Sequence, residues 1–301
     1  MTAVIHTEQL TKSYGPHRGI TELDLEVQEG EIFGFLGPNG AGKTTTMRVL
    51  LDLIRPTAGR AEVFGIETTA DPVAIHRRVG YLPGEFDLYD RLTGAQTIAY
   101  FGNLRGGVDK AYVAELVERL ELDPSRRFKE YSKGNKQKIG LIVALQHRPD
   151  LLILDEPTAG LDPLMQQTFF GLVEEARRDG RTVFLSSHII DEVDRTCDRV
   201  AIIREGRLVQ VDRIEAIREL AFHHVELTFG SRLTRSTTPC SAAALTTGPI
   251  GPLTRIDTTS PRLVTSLTPG SPSNSAVATG EPNVISTWWK ASCRMASIRS
   301  T

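Results

Sequence analysis

The stretch GPNGAGKTT, Gly37 to Thr45, follows the apolar run EIFGFLG (Glu31 to Gly37) and leads into a helical apolar pattern extending to about Ile54. It fits Gly-x-x-x-x-Gly-Lys-[Ser/Thr], and its place between an expected strand and an expected helix is the setting in which that pattern cradles phosphate. Glycines let the chain curl so that successive backbone N–H groups point at phosphate oxygens, and the helix N-terminus adds a favourable dipole. The candidate nucleotide-binding residues are therefore Gly37, Pro38, Asn39, Gly40, Ala41, Gly42, Lys43, Thr44 and Thr45. Lys43 is placed to neutralise the β and γ phosphates, and the Thr44 hydroxyl to ligate Mg²⁺.

Working outward, LLILDEP (Leu151 to Pro157) puts four apolar residues before two acids. An apolar run of this kind suits a strand buried on both faces, and ligand chemistry in open α/β sheets sits at the carboxyl ends of such strands. Asp155 is the candidate for the Mg²⁺ shell, and Glu156 for polarising the attacking water. Helices are expected over about Thr93–Arg105, Lys110–Leu120, Ser132–Gln146 and Pro163–Arg178, the last with Asp162 as N-cap and Pro163 in its first turn. A further strand, TVFLSS (Thr182 to Ser187), ends just before His188. Short apolar runs alternating with longer helical patterns give an α/β fold with a mainly parallel sheet.

Between these elements stands YSKGNKQK (Tyr131 to Lys138), and after them AGLDP (Ala159 to Pro163) and SSH (Ser186 to His188). With them the chain resembles an ABC-type ATPase over about Ala3 to Val211. The resemblance implies a P-loop NTPase domain with a mainly parallel core sheet, an antiparallel β part and a helical signature subdomain over about 85–146. YSKGN is then a variant of the family's LSGGQ, whose Ser132 and Gly134 bind the γ phosphate held by the other subunit of a head-to-tail dimer. A serine with a glycine two residues on, at a helix start, offers a hydroxyl and free N–H groups to an anion. Asp162 matches the loop linking the two sites, His188 the switch histidine that contacts the γ phosphate, and Tyr14 in LTKSYG the aromatic residue on which adenine stacks.

LTKSYG, YSKG and GYLPGEFDLYDRLTG are most similar to the nucleotide-binding subunits of bacterial drug, antibiotic and lipid exporters. That implies ATP hydrolysis, a homodimer or a paired ATPase subunit, and a separate transmembrane permease docking near Phe86 to Thr93. It also implies a cytoplasmic chain held on the inner face of the cell membrane through that permease, with no nucleic-acid partner. Two other readings stand beside it: a soluble ABC-type ATPase acting on ribosome or DNA, and an impaired copy of the exporter subunit. The chain has one cassette and no sustained heptads, whereas soluble members usually carry two cassettes or long coiled coils. Two positions depart from the family pattern. Gly84 stands where the family has glutamine, leaving the adjacent Glu85 as a candidate metal ligand, and Lys133 stands where the signature has glycine.

Composition agrees with a soluble globular class: 40 % hydrophobic and 24 % charged residues, with a net charge of −2. That charge singles out neither nucleic acid nor an anionic surface as a general partner. No apolar run reaches the roughly 20 residues of a membrane span, and the N-terminus lacks the basic start and apolar core of a signal peptide. Three widely spaced cysteines, Cys197, Cys240 and Cys293, form neither a zinc pattern nor a disulfide framework. The chain changes character after Gly230: residues 1–230 hold 35 Asp and Glu, residues 231–301 only 2, while Ser and Thr rise from 22 to 25 in a third of the length. The reading is thus an ATP-binding domain over 1–230 and a Ser/Thr/Pro-rich tail over 231–301, expected to be disordered or the product of a shifted reading frame.

Overall fold

Strands β3 (Ile32–Leu36), β7 (Leu151–Asp155) and β8 (Thr182–Ser187) are buried at every residue in the computed structural model, in keeping with the apolar runs IFGFL, LLIL and VFL that they carry. The model describes residues 3–15, 17–85, 91–220, 223–228 and 262–267. In chain order the remaining elements are β1 (Ala3–Tyr14), β2 (His17–Gln28), α1 (Lys43–Leu50), β4 (Ala58–Val63), β5 (Ile66–Glu67), α2 (Pro72–Arg78), β6 (Val79–Leu82), α3 (Gly94–Leu104), α4 (Lys110–Arg119), α5 (Lys133–Leu145), α6 (Pro163–Arg178), α7 (Ile190–Thr196), β9 (Arg199–Arg204), β10 (Arg207–Arg213), α8 (Ile214–Leu220), β11 (His223–Thr228) and β12 (Arg262–Leu267).

The chain divides into two compact units, Met1–Ile214 and Glu215–Thr301. In the first, a six-stranded sheet runs in the order β10-β9-β3-β8-β7-β6, parallel throughout except for the β9/β10 pair. A four-stranded antiparallel sheet, β2-β1-β4-β5, is the second β layer. Phe184 of β8 packs between Phe33 and Phe35 of β3, with ring centroids 6.0 and 5.5 Å apart, and all three rings are fully buried. Burying a side chain of that size contributes about 1.5–3 kcal/mol. The register places Asp155 beside Ser186, so the carboxyl ends of β7 and β8 present their polar residues at the same level.

The helices start where their caps dictate. Thr93 closes a capping box with Gln96 ahead of α3, Ser132 accepts the Asn135 N–H ahead of α5, and Asp162 accepts the Leu164 and Met165 N–H groups ahead of α6. Helix α1 is shorter than its apolar pattern suggests, ending at Leu50 rather than Ile54, because Asp52 turns into the left-handed region at φ 49°.

The division after Ile214 lies ahead of the change in composition at Gly230. The second unit contains β11 and β12, paired antiparallel from His223 opposite Leu267 to Thr228 opposite Arg262. The rest of the Ser/Thr/Pro-rich segment, and Phe86–Asp90 of the expected permease-docking stretch, lie outside the described residues.

His147, just past α5, is half-buried and bonded through Nε2 to the Val79 carbonyl at 3.2 Å. Burial, helped by the Arg105 charge, pushes its pKa down from 6.5 to about 4. The unfolded chain therefore takes up this proton below pH 6.5, while the folded chain resists until about pH 4, so the stability present above pH 6.5 is lost as pH falls through that window. Chemical denaturation between pH 7 and 4 is expected to show this decline, and His147→Gln to flatten it.

Candidate functional site

The loop from Gly37 to Gly42 is held at three points before α1 begins. Gly37 N–H donates to the Ser187 carbonyl at 3.1 Å, Ala41 N–H to the Pro38 carbonyl at 3.1 Å, and the Ala41 carbonyl accepts the Gly206 N–H at 2.9 Å. Gly42 has φ 111°, and a Cβ there would stand 2.7 Å from the Ile20 side chain, so only glycine fits at the last turn of the loop. Lys43, 5 % exposed, lays its ammonium back over this loop, donating to the Gly37 carbonyl at 2.6 Å and the Pro38 carbonyl at 3.3 Å.

Asp155 is the fixed point of the site. Only 1 % exposed, it accepts the Thr44 hydroxyl at Oδ2 and the Ser186 hydroxyl at Oδ1, both at 2.6 Å. Ser186 also accepts the Glu156 N–H at 3.0 Å, so one buried hydroxyl ties two adjacent acids to β8. Glu156 lies in the left-handed region at φ 49°, which is uncommon for a side chain of its length. Its carbonyl and that of Pro157 accept the Gln137 side-chain amide at 3.2 and 3.1 Å, so helix α5 braces the strained turn from the far side. The carboxylate that results stands between two bases: Oε1 pairs with Lys43 Nζ at 3.0 Å, and Oε2 bonds His188 Nδ1 at 2.7 Å.

Five expected site residues, Lys43, Thr44, Asp155, Glu156 and His188, thus form one connected cluster. Others fall elsewhere. Ser132 is exposed at the N-cap of α5, and Asp162 is exposed at the N-cap of α6 with Oδ1 occupied by its own helix. Gly134 packs so closely on the Gly160 carbonyl that no Cβ would fit. Among contacts between the described residues none joins Ser132, Gly134 or Asp162 to the Lys43 loop. Tyr14 ends β1, 43 % exposed, with the Lys12 ammonium 5.4 Å from its ring centroid. Glu85 is exposed, and no bond between described residues joins it to Thr44 or Asp155. Ser186, Gln137, Ser187, Thr158 and Glu192 complete the site's support. The SSH triplet was the one sequence signal for the two serines; Gln137 lies within YSKGNKQK without being singled out there, and Thr158 and Glu192 lie among ordinary loop and helix residues.

Mg²⁺ and nucleotide fit what is present. Mg²⁺ is held by hard oxygen donors, one or two carboxylates plus substrate phosphates, and the Thr44 hydroxyl with the Asp155 carboxylate is such a half-set. Among the described residues no cluster of three or more His, Cys, Asp or Glu side chains makes a self-sufficient metal site. A Cβ at Gly40, φ 78°, would meet nothing within 4 Å, so the outer face of the loop is open beside its backbone.

The family model for the ABC transporter matches residues 20–159. The chain is 38 % identical over 229 residues to the bacitracin transport ATP-binding protein BcrA of Bacillus licheniformis, covering 75 % of this chain and 72 % of that protein. It is 38 % identical over 214 residues to the daunorubicin/doxorubicin resistance ATP-binding protein DrrA of Streptomyces peucetius, covering 69 % and 64 %. Among solved structures, an ATP-binding subunit of an ABC transporter superposes with a TM-score of 0.66 at 28 % identity, over 72 % of this chain and 92 % of that one. The dimeric cassette MJ0796 shares the fold with a TM-score of 0.65 at 23 % identity, over 70 % and 98 %.

A Cβ at Gly84 would stand 3.1 Å from Asp155 Oδ2, the oxygen that holds Thr44. Gly84→Ala is therefore expected to displace that carboxylate and raise the Mg²⁺ concentration for half-maximal ATP hydrolysis several-fold. A Mg²⁺ titration of the rate checks it, and an unchanged midpoint would mean that Asp155 yields without cost.

Proposed function

Because the chain belongs to the ATP-binding subunits of ABC transporters, we propose that it binds and hydrolyses Mg²⁺-ATP to energise a membrane exporter of drug, antibiotic or lipid type through a separate permease. The observation that carries the catalytic part is the Glu156 carboxylate held between Lys43 Nζ and His188 Nδ1, directly after the buried Asp155. Mg²⁺-ATP, when bound, supplies the electrophilic γ-phosphoryl group and the metal charge that offsets its negative oxygens. Thr44 and Asp155 would hold the metal. Lys43 sets a positive charge at the mouth of the loop, fixed by two backbone carbonyls, where phosphate charge is to be countered.

Glu156 would take the proton of the attacking water on its carboxylate. His188 orients that carboxylate through Nδ1 and, with a side chain 46 % exposed, keeps the rest of its ring open toward the loop and solvent. Tyr14, at the end of β1, would stack on adenine. Ser132 and Gly134 stand apart from the Lys43 loop of their own chain, and we assign them to the nucleotide of a second copy facing head to tail, with Asp162 between the two sites. An exposed α5 start supports this arrangement, as does the exposure of Leu164 (60 %) and Ile189 (41 %) beside Asp162 and His188.

The exporter assignment is supported by the relatives named for bacitracin transport and for daunorubicin/doxorubicin resistance. No helix among the described residues is long and apolar enough to cross a membrane, so the transport path is assigned to the permease. Substrate choice is assigned to the permease as well.

Glu156→Gln is expected to retain ATP affinity while losing about a hundredfold or more in hydrolysis, the share of a well-placed general base. Lys43→Ala is expected to lose affinity itself. Binding by titration calorimetry and phosphate release together check both, and a Glu156→Gln chain that hydrolyses ATP at the parent rate would remove Glu156 from the mechanism.

A further inference from the structure

Glu192 is a buried acid that the catalytic reading leaves unused. It sits in the first turn of α7, 8 % exposed, and among the described residues no lysine, arginine or histidine forms an ion pair with it. Its two oxygens are met by hydroxyls from two different segments, the end of β8 and the loop after Glu156. Oε2 accepts the Ser187 hydroxyl at 2.6 Å, and Oε1 accepts the Thr158 hydroxyl at 2.7 Å. Ser187 is fully buried and Thr158 5 % exposed, so neither hydroxyl has water as a ready alternative. Uncharged residues of similar volume are often as stable as buried ionic ones, so packing alone gives this position no reason to be an acid.

The two segments adjoin the candidate reactive pair. Thr158 lies two residues beyond Glu156, and Ser187 immediately precedes His188, whose Nδ1 bonds Glu156 Oε2 at 2.7 Å. Ser187 Oγ also accepts the Ile189 N–H at 3.0 Å, so the residues on either side of His188 are tied to each other and, through Ser187, to Glu192. The Ser187 carbonyl accepts the Gly37 N–H at 3.1 Å, which brings the phosphate loop into the same chain of bonds.

We propose that Glu192 is a positioning residue for ATP hydrolysis, clamping the loop after Glu156 to the loop of His188 through Thr158 and Ser187. The proposal rests on the catalytic reading of Glu156 and His188. Glu192 bonds Thr158 and Ser187, not Glu156 or His188 themselves, so its effect reaches the reaction through the placement of those two side chains. Removing it loosens the relative placement of those two side chains and leaves the phosphate loop contacts of Lys43 intact.

The test measures kcat, KM for ATP and thermal midpoint for Glu192→Ala and Glu192→Gln, each in the native and the His188→Ala background, with single-turnover hydrolysis of labelled ATP reading the slow variants. In the native background Glu192→Ala is expected to lower kcat about tenfold or more with KM changed less than about twofold, the split of an interaction used in the transition state. Glu192→Gln is expected to recover much of the loss, since its carbonyl still accepts one hydroxyl and the other can rotate to accept the amide.

In the His188→Ala background Glu192→Ala is expected to change kcat less than about twofold, because residues acting as a unit are not additive. The thermal midpoint should fall equally in both backgrounds. Equal kcat losses in the two backgrounds, or a rise in KM with kcat unchanged, would overturn the proposal and leave Glu192 a structural residue. Should Glu192→Ala fail to fold, Thr158→Val and Ser187→Ala remove one clamp bond each and are read the same way. A Glu156→Gln chain with parent activity would instead sink the catalytic reading, so the two failures are distinguishable.

Discussion

The Asp155 carboxylate is the constraint on which the site depends. It is buried at the end of a strand that is itself buried on both faces, and its two oxygens are taken by hydroxyls from opposite sides, Thr44 at the start of α1 and Ser186 at the end of β8. A charge so placed must be satisfied wherever it is, because leaving it without partners costs several kcal/mol. The strand register meets that demand by setting Asp155 beside Ser186. Helix α1 meets it from the other side with Thr44 in its first turn. Loop, sheet and acid are therefore locked together before any ligand enters.

The neighbouring Glu156 turns that rigidity toward chemistry. It takes a left-handed backbone conformation that costs roughly 1–2 kcal/mol, and three contacts hold it there: the Ser186 hydroxyl at its N–H and the Gln137 amide at its own and the next carbonyl. The reversal swings the carboxylate out of the strand direction and between Lys43 and His188. Gln137 belongs to α5, so that helix and the Glu156 turn are mechanically joined within one chain. Glu192 does the same for the loops of Glu156 and His188.

Much of this was legible in the amino-acid order because it is local. The phosphate loop, its flanking strand and helix, and the acid pair after LLIL are set by contiguous residues whose spacing is itself the physical requirement. The cap at Asp162 and the helix start at Ser132 were readable for the same reason. The antiparallel sheet of β1, β2, β4 and β5 came only through family resemblance, since its strands are interrupted by register shifts and carry exposed polar positions. The contacts of Gln137 to Glu156 and of Thr158 to Glu192 were not legible: they span 19 and 34 residues through single polar side chains, a relation that leaves no periodic trace. The unit boundary after Ile214 was likewise hidden, because composition changes only later in the chain.

The central claim is that this chain hydrolyses ATP at a site completed by a second copy. Mixing a Ser132→Arg chain with a Lys43→Ala chain tests it most directly, since a head-to-tail pair of the two leaves one composite site with every element intact. Each variant alone is expected to be inactive, and the mixture to recover a substantial part of the parent ATPase rate. A mixture as silent as its components, in the presence of a folded and nucleotide-binding Ser132→Arg partner, would contradict the account.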